Sequence, residues 1–145
     1  MKQLTILATP MNAVGHVNAC TGALAPLLRR GHRVIFVVEE CFQGKLAPLG
    51  FGVHIFHYPK DPDVQKPGES CAKMLLNAKV LGNYTPSEKM RNMVRMFLGP
   101  QYLNETRLAN EAVREAIELY KPDLIYCDVV NQLPAIYYSG IPWAR

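Results

Sequence analysis

The stretch Thr5-Ile6-Leu7-Ala8-Thr9-Pro10-Met11-Asn12-Ala13-Val14-Gly15-His16-Val17-Asn18 carries three signals in succession. The apolar run Leu4 to Ala8 reads as a strand. It is continuous rather than alternating, as expected where helices cover both faces of a sheet. Pro10, Asn12 and Gly15 mark a turn. His16 then stands where an amphipathic helix begins: Val17, Cys20, Thr21, Leu24, Leu27 and Leu28 share one helical face on the way to Arg30. Open parallel sheets hold their ligands beyond the carboxyl ends of the strands. This reading places His16 at the mouth of such a crevice.

The rest of the chain repeats the pattern. Arg29 and Arg30 sit in the last helical turn, where cations suit the dipole, and Gly31 follows as a left-handed stop. Arg33 to Val38 reads as a second strand, Glu39 to Pro48 as a short helix ended by Pro48 and Gly50, and Val53 to Phe56 as a third strand. Tyr58 to Gly68 is a loop broken by Pro59, Pro62, Pro67 and Gly68. A helix is expected over 70–81. Another opens at Thr85-Pro86-Ser87-Glu88, with Met90, Met93, Val94, Phe97 and Leu98 on one stripe, the usual mark of a core-facing side.

Gly99-Pro100 breaks that helix. A long one follows to Tyr120, with Ala109, Ala112, Val113, Ala116, Ile117 and Tyr120 on its apolar stripe. Leu124 to Cys127 forms the fourth strand, and Asp128 stands at its carboxyl end. Leu133 to Tyr138 is a short helix, Gly140 its stop, and Ile141-Pro142-Trp143 opens a fifth strand that has barely begun at Arg145. That interrupted strand leads us to expect a fragment of something longer. The alternation of strand and helix predicts one α/β domain over 1–145, a Rossmann-like parallel sheet with flanking helices.

Composition narrows the function. The 145 residues are 49% apolar and 19% charged, ordinary for a globular domain with a real core. The net charge of +4 arises before Asp61, where Lys2, Arg29, Arg30, Arg33, Lys45 and Lys60 face only Glu39 and Glu40. No basic block interleaved with aromatics is present, which argues against nucleic acid. The cysteines Cys20, Cys41, Cys71 and Cys127 form no CxxC pair, so no metal site is expected. We read all four as reduced, with a cytoplasmic location and no signal peptide. No stretch approaches the roughly 20 apolar residues of a membrane span.

His16 and Asp128 both fall at carboxyl ends of strands that the crossover rule makes parallel. A carboxylate beside an imidazole fixes its tautomer and stabilises the imidazolium, which makes the histidine a better general base. The same spacing also suits two helix caps, His16 for its own helix and Asp128 for the next. The turn before His16 lacks GxGxxG and any Walker Lys-Ser/Thr. Its helix entry, at Val14 and Gly15, still offers backbone N–H groups to an anion. His32 reads as structural and His57 as a solvated loop residue near the crevice.

Gly15-His16-Val17-Asn18 followed by Arg30-Gly31-His32-Arg33-Val34-Ile35-Phe36 resembles the N-terminal half of the UDP-dependent glycosyltransferases of the GT-B fold. It is most similar to the signal-less, macrolide-glycosyltransferase-like branch and its arthropod relatives. Lys121-Pro122-Asp123-Leu124-Ile125-Tyr126-Cys127-Asp128 and Ser139-Gly140-Ile141-Pro142-Trp143 fit the same family. Ala19 stands where the family often has proline.

The resemblance implies that His16 is the base that deprotonates an acceptor hydroxyl and that Asp128 orients it. It implies a UDP-sugar co-substrate, most simply UDP-glucose, contacted near Val14 and Gly15, with no tightly bound cofactor. The acceptor would be a small lipophilic alcohol or phenol, as in detoxification. Asn12, Met93, Met96 and Phe97 are its candidate contacts, with Met74 and Met90 as further soft apolar surface. The donor-binding motif of the family's C-terminal half is absent, so the chain would be an acceptor domain that needs a partner half. Two other readings stand beside this one: an inactive α/β domain that binds apolar small molecules, and an unrelated nucleotide-binding domain, against which the missing glycine fingerprint counts.

Overall fold

Alternate residues of the first strand point to opposite faces, and both faces are apolar. β1 (Thr5–Pro10) sends Ile6 and Ala8 to one side and Leu7 to the other. The computed structural model describes residues 2–59 and 69–145. In it β1 is the middle of a wholly parallel sheet with β2 (Arg33–Glu39), β3 (Gly52–Phe56), β4 (Leu124–Asp128) and β5 (Trp143–Ala144), in the order β3-β2-β1-β4-β5. This is the expected Rossmann-like sheet. Successive strands run outward from β1 one way as far as β3, then the chain returns and continues on the other side of β1. The strand order therefore reverses between β1 and β4, and such a reversal leaves a crevice at the carboxyl edge.

Helices cover both faces. Helix α1 (Val14–Arg29) packs Val17, Cys20 and Leu24 against Ile6, Ala8, Val34, Phe36 and Val38. The chain after β2 completes that layer through Phe42 and Leu46, in a 3-10 turn and the short α2 (Gln43–Leu46). Across the sheet, α5 (Pro100–Tyr120) sets Ala112, Val113 and Ala116 on Leu7, Ile35, Val37, Ile125 and Cys127. Small alanines let this long helix approach the sheet closely. Three chain reversals rely on the left-handed region: Gly31 at φ 86° after α1, Gly50 at φ 87° after α2, and Lys121 at φ 45° after α5.

The expected elements appear, with two differences. β1 runs two residues beyond Ala8, because Pro10 lies at the strand's last position and its missing N–H is not needed there. The next residue takes over, with the Met11 N–H donating to the Asp128 carbonyl at 2.7 Å. The second difference is in α4 (Pro86–Phe97). Its start is as expected, with Thr85 and Glu88 forming a reciprocal capping box. Its apolar stripe, however, does not enter the core. Met90 is 62% exposed, Val94 51% and Leu98 69%. Helix α5 already fills this side of the sheet, so α4 lies outside it with no fully buried residue. The helix expected over 70–81 is α3 (Glu69–Asn77). Of the expected Tyr58–Gly68 loop, residues 60–68 lie outside the described residues, as does the side chain of Cys71.

These two environments should respond differently to truncation. Leu7→Ala, under α5 at the sheet's centre, should lose about 2–5 kcal/mol. Met90→Ala, on the outer side of α4, should stay within about 0.5 kcal/mol of wild type. Urea denaturation followed by circular dichroism measures both.

Candidate functional site

The parallel register pairs Pro10 with Asp128, so the carboxyl end of β4 lies beside the turn that leads into α1. His16 occupies the third position of α1, and its Nδ1 lies 3.0 Å from Asp128 Oδ2, although the two residues are 112 positions apart. A carboxylate only accepts, so the imidazole Nδ1 carries the proton and donates it. Nε2 of a neutral ring is then left as a free acceptor. Both side chains are about one-third exposed, 38% for His16 and 34% for Asp128, so the pair is held in place yet open to solvent.

The alternative roles as caps do not match the geometry. The cap position of α1 is Ala13 and that of α6 (Pro134–Tyr137) is Leu133, and neither end has a side-chain cap. The uncapped first turn leaves the Val14 and Gly15 amides without an intrahelical acceptor.

Asp128 has a second donor. Cys20 lies four residues after His16, hence on the same helical face, and its Sγ donates to Asp128 Oδ2 at 3.4 Å. Burial, reinforced by the neighbouring carboxylate, pushes the Cys20 thiol up from 9.0 to about 12. The thiol therefore stays protonated and keeps donating. Sequence reading took Cys20 only as a core residue. Its i+4 relation to His16 was the available signal.

A cavity of about 1200 Å³ begins at Ala13 and Val129, and His16, Asp128, Val14 and Gly15 do not line it. Its near wall is the β1–α1 turn from Thr9 to Ala13 and the segment Val129–Asn131 that follows Asp128. Met74 from α3, Met96 from α4 and Val113 from α5 are among its apolar lining residues. Asn12 braces the entrance: its Oδ1 accepts the Glu39 N–H at 2.8 Å and its Nδ2 lies 3.5 Å from the Tyr58 hydroxyl. Burial, then the charge of Glu105, holds the Tyr58 hydroxyl above the usual tyrosine range, so it remains a neutral donor. Deeper in, the Tyr102 hydroxyl donates to Asn131 Oδ1 at 2.9 Å, and the Asn131 amide donates to Thr106.

Among the residues singled out from sequence, Asn12 and Met96 line this cavity, as does Met74, whereas Met93, Phe97 and Met90 do not. Phe97 instead packs edge-on against Tyr102, with ring centres 4.8 Å apart. His57 lines the cavity, largely exposed, with Nδ1 3.6 Å from Glu40. His32 is structural: its buried ring accepts the Leu4 N–H at 3.2 Å. Tyr58, Tyr102 and Asn131 carried no sequence signal, since each follows a strand or opens a helix in a segment without a motif. Cys20, Cys41 and Cys127 are free thiols. Among the described residues no cluster of three His, Cys, Asp or Glu side chains is placed to hold a metal ion, and no helix is long and apolar enough to cross a membrane.

No family model matches the chain. UDP-glycosyltransferase 79B30 of Glycine max is 24% identical over 135 residues, which cover 93% of this chain and 26% of that protein. The chain thus spans about a quarter of the curated relative it matches. The glycosyltransferase SsfS6 of Streptomyces sp. SF2575 superposes with a TM-score of 0.62 at 16% identity, covering 97% of this chain and 38% of that one. UGT89C1 of Arabidopsis thaliana, crystallised with UDP-L-rhamnose, superposes with a TM-score of 0.52 at 18% identity, covering 88% and 30%. The fold is that of a portion of these GT-B glycosyltransferases, and the resemblance carried by the motifs extends to a UDP-glycosyltransferase sequence.

The thiol on Asp128 yields a pH effect of definite sign. Burial and the Asp128 carboxylate push the Cys20 thiol up from its ordinary 9.0 to about 12 in the folded chain. Between those values the unfolded chain binds fewer protons than the native one, so stability falls as pH rises. Urea midpoints measured at about pH 8 and about pH 10 should drop less for Cys20→Ala than for the wild type.

Proposed function

We propose that this chain is the acceptor-binding half of a UDP-glycosyltransferase, with His16 as general base and Asp128 as the group that orients it. The observation that carries the reading is the His16–Asp128 contact of 3.0 Å at the carboxyl edge of the sheet, where the next residue, Val129, lines a cavity. A small lipophilic alcohol or phenol occupies the cavity, in contact with Asn12 and Met96. Its hydroxyl gives a proton to His16 Nε2. The oxygen forms a bond to the anomeric carbon as the bond to the diphosphate breaks, and UDP leaves as the anion. Attack opposite the leaving group inverts that carbon. Asp128 balances the imidazolium as it forms, and Cys20 donates to the same oxygen of Asp128.

Little further chemistry is required. UDP is a good leaving group, so positioning and one proton acceptor supply most of the rate. The donor is a UDP-hexose, most simply UDP-glucose, and the UDP-sugar in the Arabidopsis neighbour supports that class of co-substrate. The open amides of Val14 and Gly15 meet its diphosphate. The nucleoside and sugar need a C-terminal donor-binding half, for which these 145 residues contain no matching motif. Cytoplasmic conjugation of lipophilic compounds, as in detoxification, is the role that fits a chain with free thiols and this cavity.

Calorimetry and product analysis test this reading. The 145-residue chain should bind phenolic acceptors yet form no glucoside from UDP-glucose. Joined to a UDP-sugar-binding half, it should form the glucoside. In that protein His16→Ala should lower kcat by about 10²–10⁴-fold with acceptor affinity little changed. Asp128→Asn should slow turnover less. Unchanged turnover in His16→Ala would remove the base assignment. Acceptor binding with no transfer, even beside a competent donor half, would make the chain an inactive binding domain.

A further inference from the structure

His16 and Cys20 stand one helical turn apart on α1 and reach the same oxygen of Asp128, at 3.0 Å and 3.4 Å. Among the described residues no other donor meets that side chain. The two donors differ in their surroundings. The imidazole is 38% exposed, so water competes with it for the carboxylate. The thiol is 1% exposed and belongs to the buried layer of Ile6, Ala8 and Phe36, which water does not reach. A thiol is a weak donor, but a carboxylate strengthens the bond, and one carboxylate oxygen has room for both groups. Without the thiol, the core side of Oδ2 loses its partner. A buried acceptor left unpaired is costly, so the carboxylate gains by turning to solvent and away from Nδ1.

We propose that Cys20 is a positioning residue: its thiol pins the Asp128 carboxylate so that Oδ2 stays on His16 Nδ1, and it thereby keeps Nε2 the free acceptor. The tautomer follows from the carboxylate's place. With Oδ2 on Nδ1 the ring proton sits there, and Nε2 carries the lone pair. With Oδ2 gone the proton occupies either nitrogen, and a ring protonated at Nε2 takes no proton there from an alcohol. Packing alone does not select a thiol, since alanine and valine already serve the same layer at Ala8 and Val17. The S–H is the feature of Cys20 that Asp128 uses. Held up to about 12, it stays a donor through neutral and mildly alkaline pH. The ring proton's place is a property of this chain; its value to catalysis rests on the assignment of His16 as the base.

Nitrogen-15 NMR of the His16 ring tests it in the 145-residue chain, at about pH 9, where imidazoles are neutral. The wild type should carry its proton on Nδ1. Cys20→Ser keeps a donor and should keep that pattern, at some cost in stability. Cys20→Val keeps the apolar bulk without a donor, and Cys20→Ala removes the donor without adding bulk. Each should raise the ratio of Nε2–H to Nδ1–H about fivefold, the weight of one hydrogen bond. Circular dichroism shows which variants fold, and either donorless one suffices. An unchanged ratio in folded Cys20→Val or Cys20→Ala, or an equal loss of the Nδ1 proton in folded Cys20→Ser, would overturn the proposal. In the protein joined to a UDP-sugar-binding half, Cys20→Val should lower kcat about tenfold with KM unchanged, and Cys20→Ser should recover most of that loss. Turnover unchanged by His16→Ala would sink the base assignment alone, because the ring-proton comparison decides the role of Cys20 without any sugar transfer.

Discussion

The pairing of β1 with β4 is the constraint from which the site follows. It joins residues more than a hundred positions apart in a fixed parallel register, Ile6 on Leu124 through Pro10 on Asp128. A slip of one residue would exchange the faces of β4. Ile125 and Cys127 would leave the α5 side, and Asp128 would swing away from α1. Several bonds outside the ladder hold the register at its two ends. At the amino end Asp123 accepts the Thr5 N–H at 2.9 Å while its backbone N–H donates to the Thr5 carbonyl at 2.8 Å. At the carboxyl end the Met11 amide closes on the Asp128 carbonyl. The packing of two buried layers thus decides where a half-exposed carboxylate stands.

That carboxylate is oriented from two directions. His16 and Cys20 are one helical turn apart and both reach the same oxygen. The thiol is buried and the imidazole is open, so a single Asp128 oxygen connects the core to the solvent side of the sheet. The elements α1 and β4 fix the pair, whereas the cavity is walled by α3, α4 and α5 together with the turns after β1, β3 and β4. Its polar fittings bond to one another, Asn12 to Tyr58 and Tyr102 to Asn131, and are tied to the frame through Glu39 at the end of β2 and Thr106 of α5.

The parts visible in sequence were those with a repeating pattern. Continuous β-branched runs announced β1 and β2, and the stripe from Ala109 to Tyr120 announced the side of α5 that meets the sheet. Strand ends are predictable places for polar residues, so His16 and Asp128 stood out before any coordinates. Periodicity failed at α4 because it reports that one side of a helix is apolar and says nothing of what lies opposite. Here α5 had already taken the sheet, and Met90, Val94 and Leu98 faced outward. The cavity lining was equally hidden. Tyr58 and Asn131 come together with α5 only through the crossover, and no local spacing records that meeting. The link from Cys20 to Asp128 was hidden for another reason: the same residue satisfies the core pattern, and a thiol among apolar neighbours gives no hint of its hydrogen bond.

The sheet order also sets the sequence of assembly. β1, β2 and β3 are neighbours in space and contiguous in the first 56 residues, so they can pair as soon as that segment leaves the ribosome. β4 must wait for α3, α4 and α5 to be synthesised and then find the far side of β1, a slow closure over a long intervening chain. Until it does, His16 has no carboxylate and one flank of the central strand is bare. Formation of the imidazole–carboxylate contact therefore coincides with the sealing of that flank. A nascent chain whose His16 has met its carboxylate is one whose central strand no longer offers an open flank to a stranger.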